Sequence, residues 1–421
     1  MSPPRPQLHL RRARLGAAAL PGALCAALLA WAQPVSAAPC DLATGQVLYI
    51  AGPDSMINIL RNIAAELWSE DIHVYYKGYP SCLGVQNLVN SSPTTPDPAE
   101  MGTPAAHEVS YWPGDPELEM FCELPFDAAD PAEPEIVPDL VLSDVFATTC
   151  ASYPNGLGSV QDFPGPVLGF GFIVHPDSPA QSISAEAAYL VFGFGAESHV
   201  VEPWNDPATI LHRDPNSGAE NVFAKTLALD VTKFAGTSLN STGLMVDQVA
   251  LATGAAIAST IAGANVGIIE RRAGEIRALA YQHYEQSCGY FPDSTPTSRD
   301  KRNVRDGHYP IWGAVHLYTR VNTSGIPVNP GANRFINLTL GTDQLPGLDP
   351  IALGLESSLV PQCAMNVFRT EDGGALASFQ PPRPCGCYFE SLTGGTDCQS
   401  CTTSSQCPTE RPNCSYGYCE F

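Results

Sequence analysis

Positive charge is what this 421-residue chain has least of: 21 lysines and arginines stand against 43 aspartates and glutamates, a net charge of −22. So acidic a chain has no broad basic surface for a phosphate backbone, which argues against nucleic acid as a partner. Long apolar runs are also missing beyond the first 38 residues. The nearest approach, residues 249–269, is rich in Gly, Ala, Ser and Thr and is not the run of roughly 18 strongly apolar residues that a membrane span needs. Catalytic spacings are absent too. There is no HExxH, no GxSxG and no paired-carboxylate motif, and His175, His199, His212, His308 and His316 are scattered. An exported enzyme such as a phosphatase is therefore the weakest of the function classes, and neither a metal nor a cofactor is expected. What is present, 44% apolar and 15% charged residues, is the composition of a globular protein with a large core.

The first 38 residues carry Arg5, Arg11, Arg12 and Arg14 without an acid, then an apolar run to Trp31, then Ser36, Ala37 and Ala38. This is the pattern of a secretory signal peptide, cut near Ala37 or Ala38. Its removal takes four positive charges and moves the net charge from −22 to −26. The expectation is an exported protein of the periplasm, cell surface or extracellular space, with no membrane span after cleavage. Fourteen cysteines less Cys25 leave 13, which in an exported chain implies disulfides and one thiol left over. Seven of them fall after residue 380, in a stretch without histidine, so disulfides are favoured over zinc there. Residues 381–421 have too few apolar side chains for a core and are expected to form a separate, disulfide-rich module.

Residues 46–51, QVLYIA, predict a buried strand, Gly52, Pro53, Asp54 and Ser55 a turn, and MINILRNIAAELWSE a helix with apolar residues at helical spacing. IHVYYK and GYPSCLGVQNLVN repeat the device, with Ser81 at the second helix start. In an open parallel sheet such turns line one carboxyl edge, where ligands bind. After an acidic, proline-rich insertion at residues 91–139 that holds Cys122, a strand at 140–142 runs into Ser143 and Asp144. Asp144 thus falls at that same edge, although on its own it also reads as a turn or cap aspartate. VLGFGFIV, residues 167–174, is a strand crossing into a second lobe, and SAEAAYLVFGFG is a helix with a glycine stop. VDQVALATGAAIASTIAGANVGIIERR predicts a helix, a Gly/Ala-rich stretch and a strand, and from Arg277 the chain is expected to return to the first lobe. Repeated strand-then-helix units predict α/β lobes, one from residues 39–170 and 275–380 and the other from 171–274.

Residues 211–229, LHRDPNSGAENVFAKTLAL, place Arg213 four residues before Ser217 and Gly218 at a helix start. A helix start leaves backbone N–H groups without intrahelical partners and carries partial positive charge. Ser217 can cap the helix and also contact an anion, Gly218 lets the backbone approach a ligand, and Arg213 offers a planar fork of donors. An ordinary N-cap beside a surface arginine is the alternative for this string taken alone.

The stretches YIAGPDSM, GYPSCLG, LVLSDVF, VLGFGFIVHPDSP, HRDPNSGA, ANVGII and DGHYPIWGAVHLYT occur in a shared order over about residues 46–320. In them the chain resembles the phosphate-binding protein of bacterial phosphate ABC transporters. The resemblance implies a two-lobed α/β, type II periplasmic-binding-protein fold that closes on its ligand like a hinge. It implies a site for inorganic phosphate or a related tetrahedral oxyanion, lined by Ser55, the Met56 backbone, Ser81, Asp144, Arg213, Ser217 and Gly218, with Ala219 giving only its N–H. It also implies an ABC permease, or a cell-surface component, as partner. Ala219 stands where the family usually has a hydroxyl residue, Pro53 and Asp54 where it prefers small neutral residues, and Pro80 and Cys82 where it has glycines. These departures keep open a diverged binding or surface module that no longer takes phosphate.

Overall fold

The computed structural model describes residues 38–92, 107–124, 126–127, 130–134, 137–151, 153, 155–195, 201–395 and 398–421. Apart from Ala38, the expected signal peptide lies outside them, as do parts of the acidic insertion and His199. Strand β1 (Gln46–Gly52) leads into a short 3-10 turn at Asp54–Met56 and helix α1 (Ile57–Trp68), which buries Ile59, Leu60, Ile63, Ala64 and Leu67 at the predicted helical spacing. Strand β2 (Ile72–Gly78) and helix α2 (Ser81–Asn90) repeat the unit, and β1 and β2 pair in parallel. The insertion is not merely a loop. Its strands β3 (Glu108–Tyr111) and β4 (Met120–Glu123) form an antiparallel hairpin that extends the sheet beyond β2, and Cys40–Cys122 ties β4 to the start of the described chain.

Strand β5 (Leu140–Ser143), buried throughout, lies parallel to β1. Strand β6 (Val160–Val174) is 15 residues long and begins earlier than its apolar run does. The second lobe follows, with helix α3 (Ala185–Phe194), strand β7 (Ile210–Arg213), helix α4 (Gly218–Leu227), strand β8 (Thr237–Leu239), helix α5 (Thr242–Ala250), strand β9 (Ile261–Asn265) and helix α6 (Val266–Arg271). The expected strand near the end of this stretch stops at Asn265, whose side chain accepts from Ile268 N–H and starts α6 instead. Strands β7, β8 and β9 are mutually parallel in the order β8-β7-β9.

Two long strands join the lobes. Strand β6 pairs antiparallel through residues 160–169 with β10 (Trp312–Arg320), then changes partner and pairs through residues 170–173 with β9. Strand β10 in turn pairs with β5. The continuous path is β8-β7-β9-β6-β10-β5-β1-β2-β3-β4, a mixed α/β arrangement of two lobes, each with its own parallel strands. The chain remains beside the second lobe past residue 275: Arg277–Ala278 pairs with the far end of β6 and Ala280–Gln282 with Ser182–Ser184. The return to the first lobe's strands comes with β10.

Helices α7 (Pro330–Thr339) and α8 (Pro350–Glu356) each start with a capping residue, Asn329 and Asp349, followed by a helix-compatible proline. The cysteine-rich end does not stand apart. Its helix α9 (Gly386–Leu392) puts Phe389, fully buried, into the main core, and the Arg305 guanidinium donates to Ala364 O, Gly386 O and Glu390. The tail lacks a core of its own, and it borrows that of the lobes. Cys363–Cys385 fastens it, while Cys387–Cys398, Cys401–Cys414 and Cys407–Cys419 staple it internally. With Cys82–Cys150 the disulfides among the described residues number six, and Cys288 is an exposed free thiol. Six disulfides point to an exported protein. Among the described residues, no helix is long and apolar enough to cross a membrane.

Candidate functional site

Each parallel strand ends at a turn, and the turns of the two lobes meet. From the first lobe come Ser55 after β1, Ser81 after β2 and Asp144 after β5. From the second come the turn after β7, with Arg213 to Gly218, and Thr242 after β8. Ser55 Oγ donates to Asp144 Oδ1 at 2.7 Å, and Asp144 N–H donates to Ser81 Oγ at 3.2 Å. Gly218 lies directly over this pair: a Cβ built on it would stand 2.5 Å from Ser81 Oγ and 2.9 Å from Asp144 Cβ. Only glycine permits that approach.

The structure therefore brings Ser55, Ser81, Asp144 and Gly218 together. Arg213 stands near enough that its charge opposes part of the rise that burial gives the Asp144 carboxyl. Its Nη1 donates to Thr242 Oγ1 at 3.0 Å, its Nη2 faces Asp214 at 3.5 Å, and its buried Nε has no partner. Ser217 Oγ accepts from Glu220 N–H at 3.5 Å as the cap of α4, which leaves its own proton to donate. Met56 presents only its backbone, since its side chain is fully buried in the core. Ala219 is half-buried behind Gly218.

Electrostatics here are set by burial. Asp144 is 5% exposed, and burial pushes its carboxyl up to about 6, against the opposing pull of the Ser55 hydrogen bond and Arg213. Asp54 and Asp372 raise it further. Asp54 takes a hydrogen bond from Tyr76 OH at 2.7 Å, and its charge is still felt at Asp144.

Glu220, which sequence reasoning passed over, is 4% exposed. Burial pushes its carboxyl up to about 8, although its Oε2 accepts from Arg213 N–H at 3.0 Å. Its signal was in the sequence. Ser217 and Glu220 have the Ser-x-x-Glu spacing of a capping box, but the glutamate reaches back to residue 213 and braces the turn that carries the guanidinium. Asp372 had no local signal, because it joins the site from a segment more than 200 residues after Asp144.

Such an arrangement can hold an anion with several oxygens. The starts of α1 and α2 have no side-chain caps, so N–H groups there are left without a side-chain acceptor, and Arg213 adds charge. One donor of α2 is met across the junction, Cys82 N–H donating to Asn216 O at 3.3 Å. Metal ligation is a poorer fit to this set, in which Asp144 stands among hydroxyl donors and beside a guanidinium. In the tail the Cys401, Cys407 and Cys419 sulfurs lie close together, but all three are spent in disulfides.

No family model matches the chain, and no curated protein matches it. Solved structures do. An ABC-type phosphate transport receptor from Vibrio cholerae is 13% identical, with a TM-score of 0.47 over 74% of this chain and 99% of that one. A structure from Clostridium perfringens, described as a phosphate ABC transporter substrate-binding protein with bound phosphate, is 10% identical, with a TM-score of 0.48 over 75% and 99%. PstS from Borrelia burgdorferi is 12% identical, with a TM-score of 0.41 over 75% and 98%. These likenesses concern the chain path alone.

Proposed function

We propose that this is an exported solute-binding protein that holds phosphate, or a closely related tetrahedral oxyanion, between its two lobes. The observation that supports this most is a buried carboxylate, Asp144, set among uncapped helix starts and beside one guanidinium. Helix starts and Arg213 attract any tetrahedral oxyanion, because their donors address oxygens whatever the central atom. Asp144 is the selective element. It accepts a proton that phosphate carries near neutral pH and sulfate does not, and a site built around one such bond can discriminate by roughly 10⁴-fold. On this reading Ser81 and Ser217 donate hydroxyl protons, Ser55 lines the site and spends its proton on Asp144, the Met56, Gly218 and Ala219 backbones donate N–H groups, and the loaded protein delivers its anion to an ABC permease.

A second reading has two observations in its favour. Asn216 O already sits on an α2 donor, and Asp54 and Asp372 crowd the site with negative charge, as suits a diverged module that no longer takes phosphate. A competition titration of phosphate against sulfate at pH 7.5 separates the two. Wild type should prefer phosphate strongly, Asp144→Asn should narrow that preference by tenfold or more, and Arg213→Ala should weaken both anions about a hundredfold, as expected for losing two charge-assisted hydrogen bonds. A wild type with no phosphate binding, or an Asp144→Asn variant with an unchanged ratio, would sink the phosphate reading.

A further inference from the structure

Residues 363–385 form a loop closed at its base by Cys363–Cys385 and stiffened by the antiparallel pair Val367–Phe368 and Ala377–Ser378. Its tip reaches the oxyanion site from the side and touches both lobes. Toward the first lobe, Asp372 Oδ2 accepts from Phe146 N–H at 2.9 Å and from Thr149 Oγ1 at 2.7 Å. Phe146 is the N-cap of the one-turn helix Ala147–Cys150 and has no side-chain cap of its own, so Asp372 caps it from a distance. That turn carries Asp144 two residues earlier. Toward the second lobe, Gly373, at φ 67°, lies against the last turn of α4: a Cβ there would stand 2.7 Å from Lys225 C and 2.8 Å from Lys225 O. Between the lobes, Arg369 stacks on Trp312 of the crossing strand β10 at 3.7 Å and donates to Pro310 O. The second carboxylate oxygen, Asp372 Oδ1, is buried without a partner, so the carboxylate is held there by its bonds to Phe146 and Thr149 and not by a full complement of its own.

We propose that Asp372 and Gly373, carried on this disulfide-closed hairpin, are positioning residues of the site: a strut that fixes the Asp144 turn and holds the second lobe closed against the first. A hinge protein must break the Gly373–Lys225 contact when α4 swings away, so the strut slows the release of a bound anion. This inference rests on the oxyanion reading for its binding arm and on geometry alone for its structural arm.

The binding arm measures inorganic phosphate affinity and release rate on the full chain. Asp372→Ala should weaken binding tenfold or more, chiefly by faster release, while Asp372→Asn, whose amide oxygen still accepts from Phe146 N–H, should recover most of the loss. Equal loss in both variants would overturn the positioning role. The structural arm needs no ligand. Spin labels at residues 66 and 251, both exposed and on opposite lobes, with Cys288→Ser to avoid a third label, report the distance between lobes in phosphate-free protein. Gly373→Val should shift that distribution to longer distances, and an unchanged distribution would overturn the strut. If wild type fails to bind phosphate, the functional reading falls and the distance measurement alone decides the strut.

Discussion

Both lobes use strand, turn and helix, yet they finish their helices in opposite ways. In the second lobe every helix start that follows a parallel strand is closed by its own side chain: Ser217 accepts from Glu220 N–H, Ser241 from Leu244 N–H and Asn265 from Ile268 N–H. In the first lobe Pro53 stands at the cap of the 3-10 turn that leads into α1, Met56 at the cap of α1 and Pro80 at the cap of α2, and none of them supplies a side-chain acceptor. Orphan donors are thus retired locally in one lobe and left for an outside acceptor in the other. The lobes therefore divide the work. On the oxyanion reading proposed above, the first would supply the donors and the proton acceptor Asp144, and the second a braced guanidinium and a glycine thin enough to lie over them.

The largest break in this comparison comes from thickening that glycine. Gly218→Val would place side-chain atoms where Ser81 Oγ and Asp144 Cβ already stand, so the α4 start could no longer meet the first lobe. Phosphate affinity should fall by a hundredfold or more while the thermal midpoint changes little, because the clash is relieved by parting the lobes rather than by unfolding either one. Calorimetric titration beside thermal denaturation checks both. Wild-type affinity in this variant would show that the anion does not need the close approach.

Local periodicity explains what could be read from the sequence. The strands at 46–51, 72–77 and 140–142 and the helices after the first two announce themselves by buried runs and 3.6-residue spacing, and Ser217 and Gly218 announce a helix start. Of the eight residues expected to line the site, Ser55, Ser81, Asp144 and Gly218 lie within contact distance of one another. Pairing is another matter. That β6 changes partner near Gly169, or that residues 108–123 add a hairpin to the sheet edge, depends on contacts distant in sequence. The same holds for Asp372, whose cap on Phe146 spans 226 residues, and for the tail, whose low apolar content suggested independence when it meant reliance on the lobe core.

A smaller effect tests the brace in the second lobe. Burial raises Glu220 from its ordinary 4.5 to about 8, so the folded protein holds this proton more tightly than the unfolded chain does. The contribution to stability is then fully present below about pH 4.5 and is lost as pH rises through 8, at about 1.4 kcal/mol for each unit of difference. Glu220→Gln keeps an acceptor for Arg213 N–H and has no proton to lose. Its thermal midpoint should fall less than that of wild type between pH 6 and pH 8.5. Parallel curves would mean that Glu220 does not titrate as a buried acid.

The smallest effect is the most direct test of the open helix starts. Pro80 has φ −59° and ψ 134°, a backbone that an N-cap serine can adopt. Pro80→Ser would give α2 the cap that the second lobe's helices already have, the introduced hydroxyl accepting from the N–H of Leu83, since that of Cys82 is already donated to Asn216 O. Capping is worth about 1 kcal/mol, and losing proline's restraint on the unfolded chain costs about 0.4–1 kcal/mol, so stability should hardly change. Affinity should change, since a donor spent on that hydroxyl is no longer offered to the anion. Taking the net value of one hydrogen bond as about 0.5–1.5 kcal/mol, phosphate should bind roughly threefold to tenfold more weakly. The calorimetric titration that shows this also guards against a trivial cause, because a loss of fold would appear as a shifted thermal midpoint. If the variant binds phosphate as well as wild type, the α2 start is not part of the anion's coordination, and the difference in capping between the lobes belongs to folding alone.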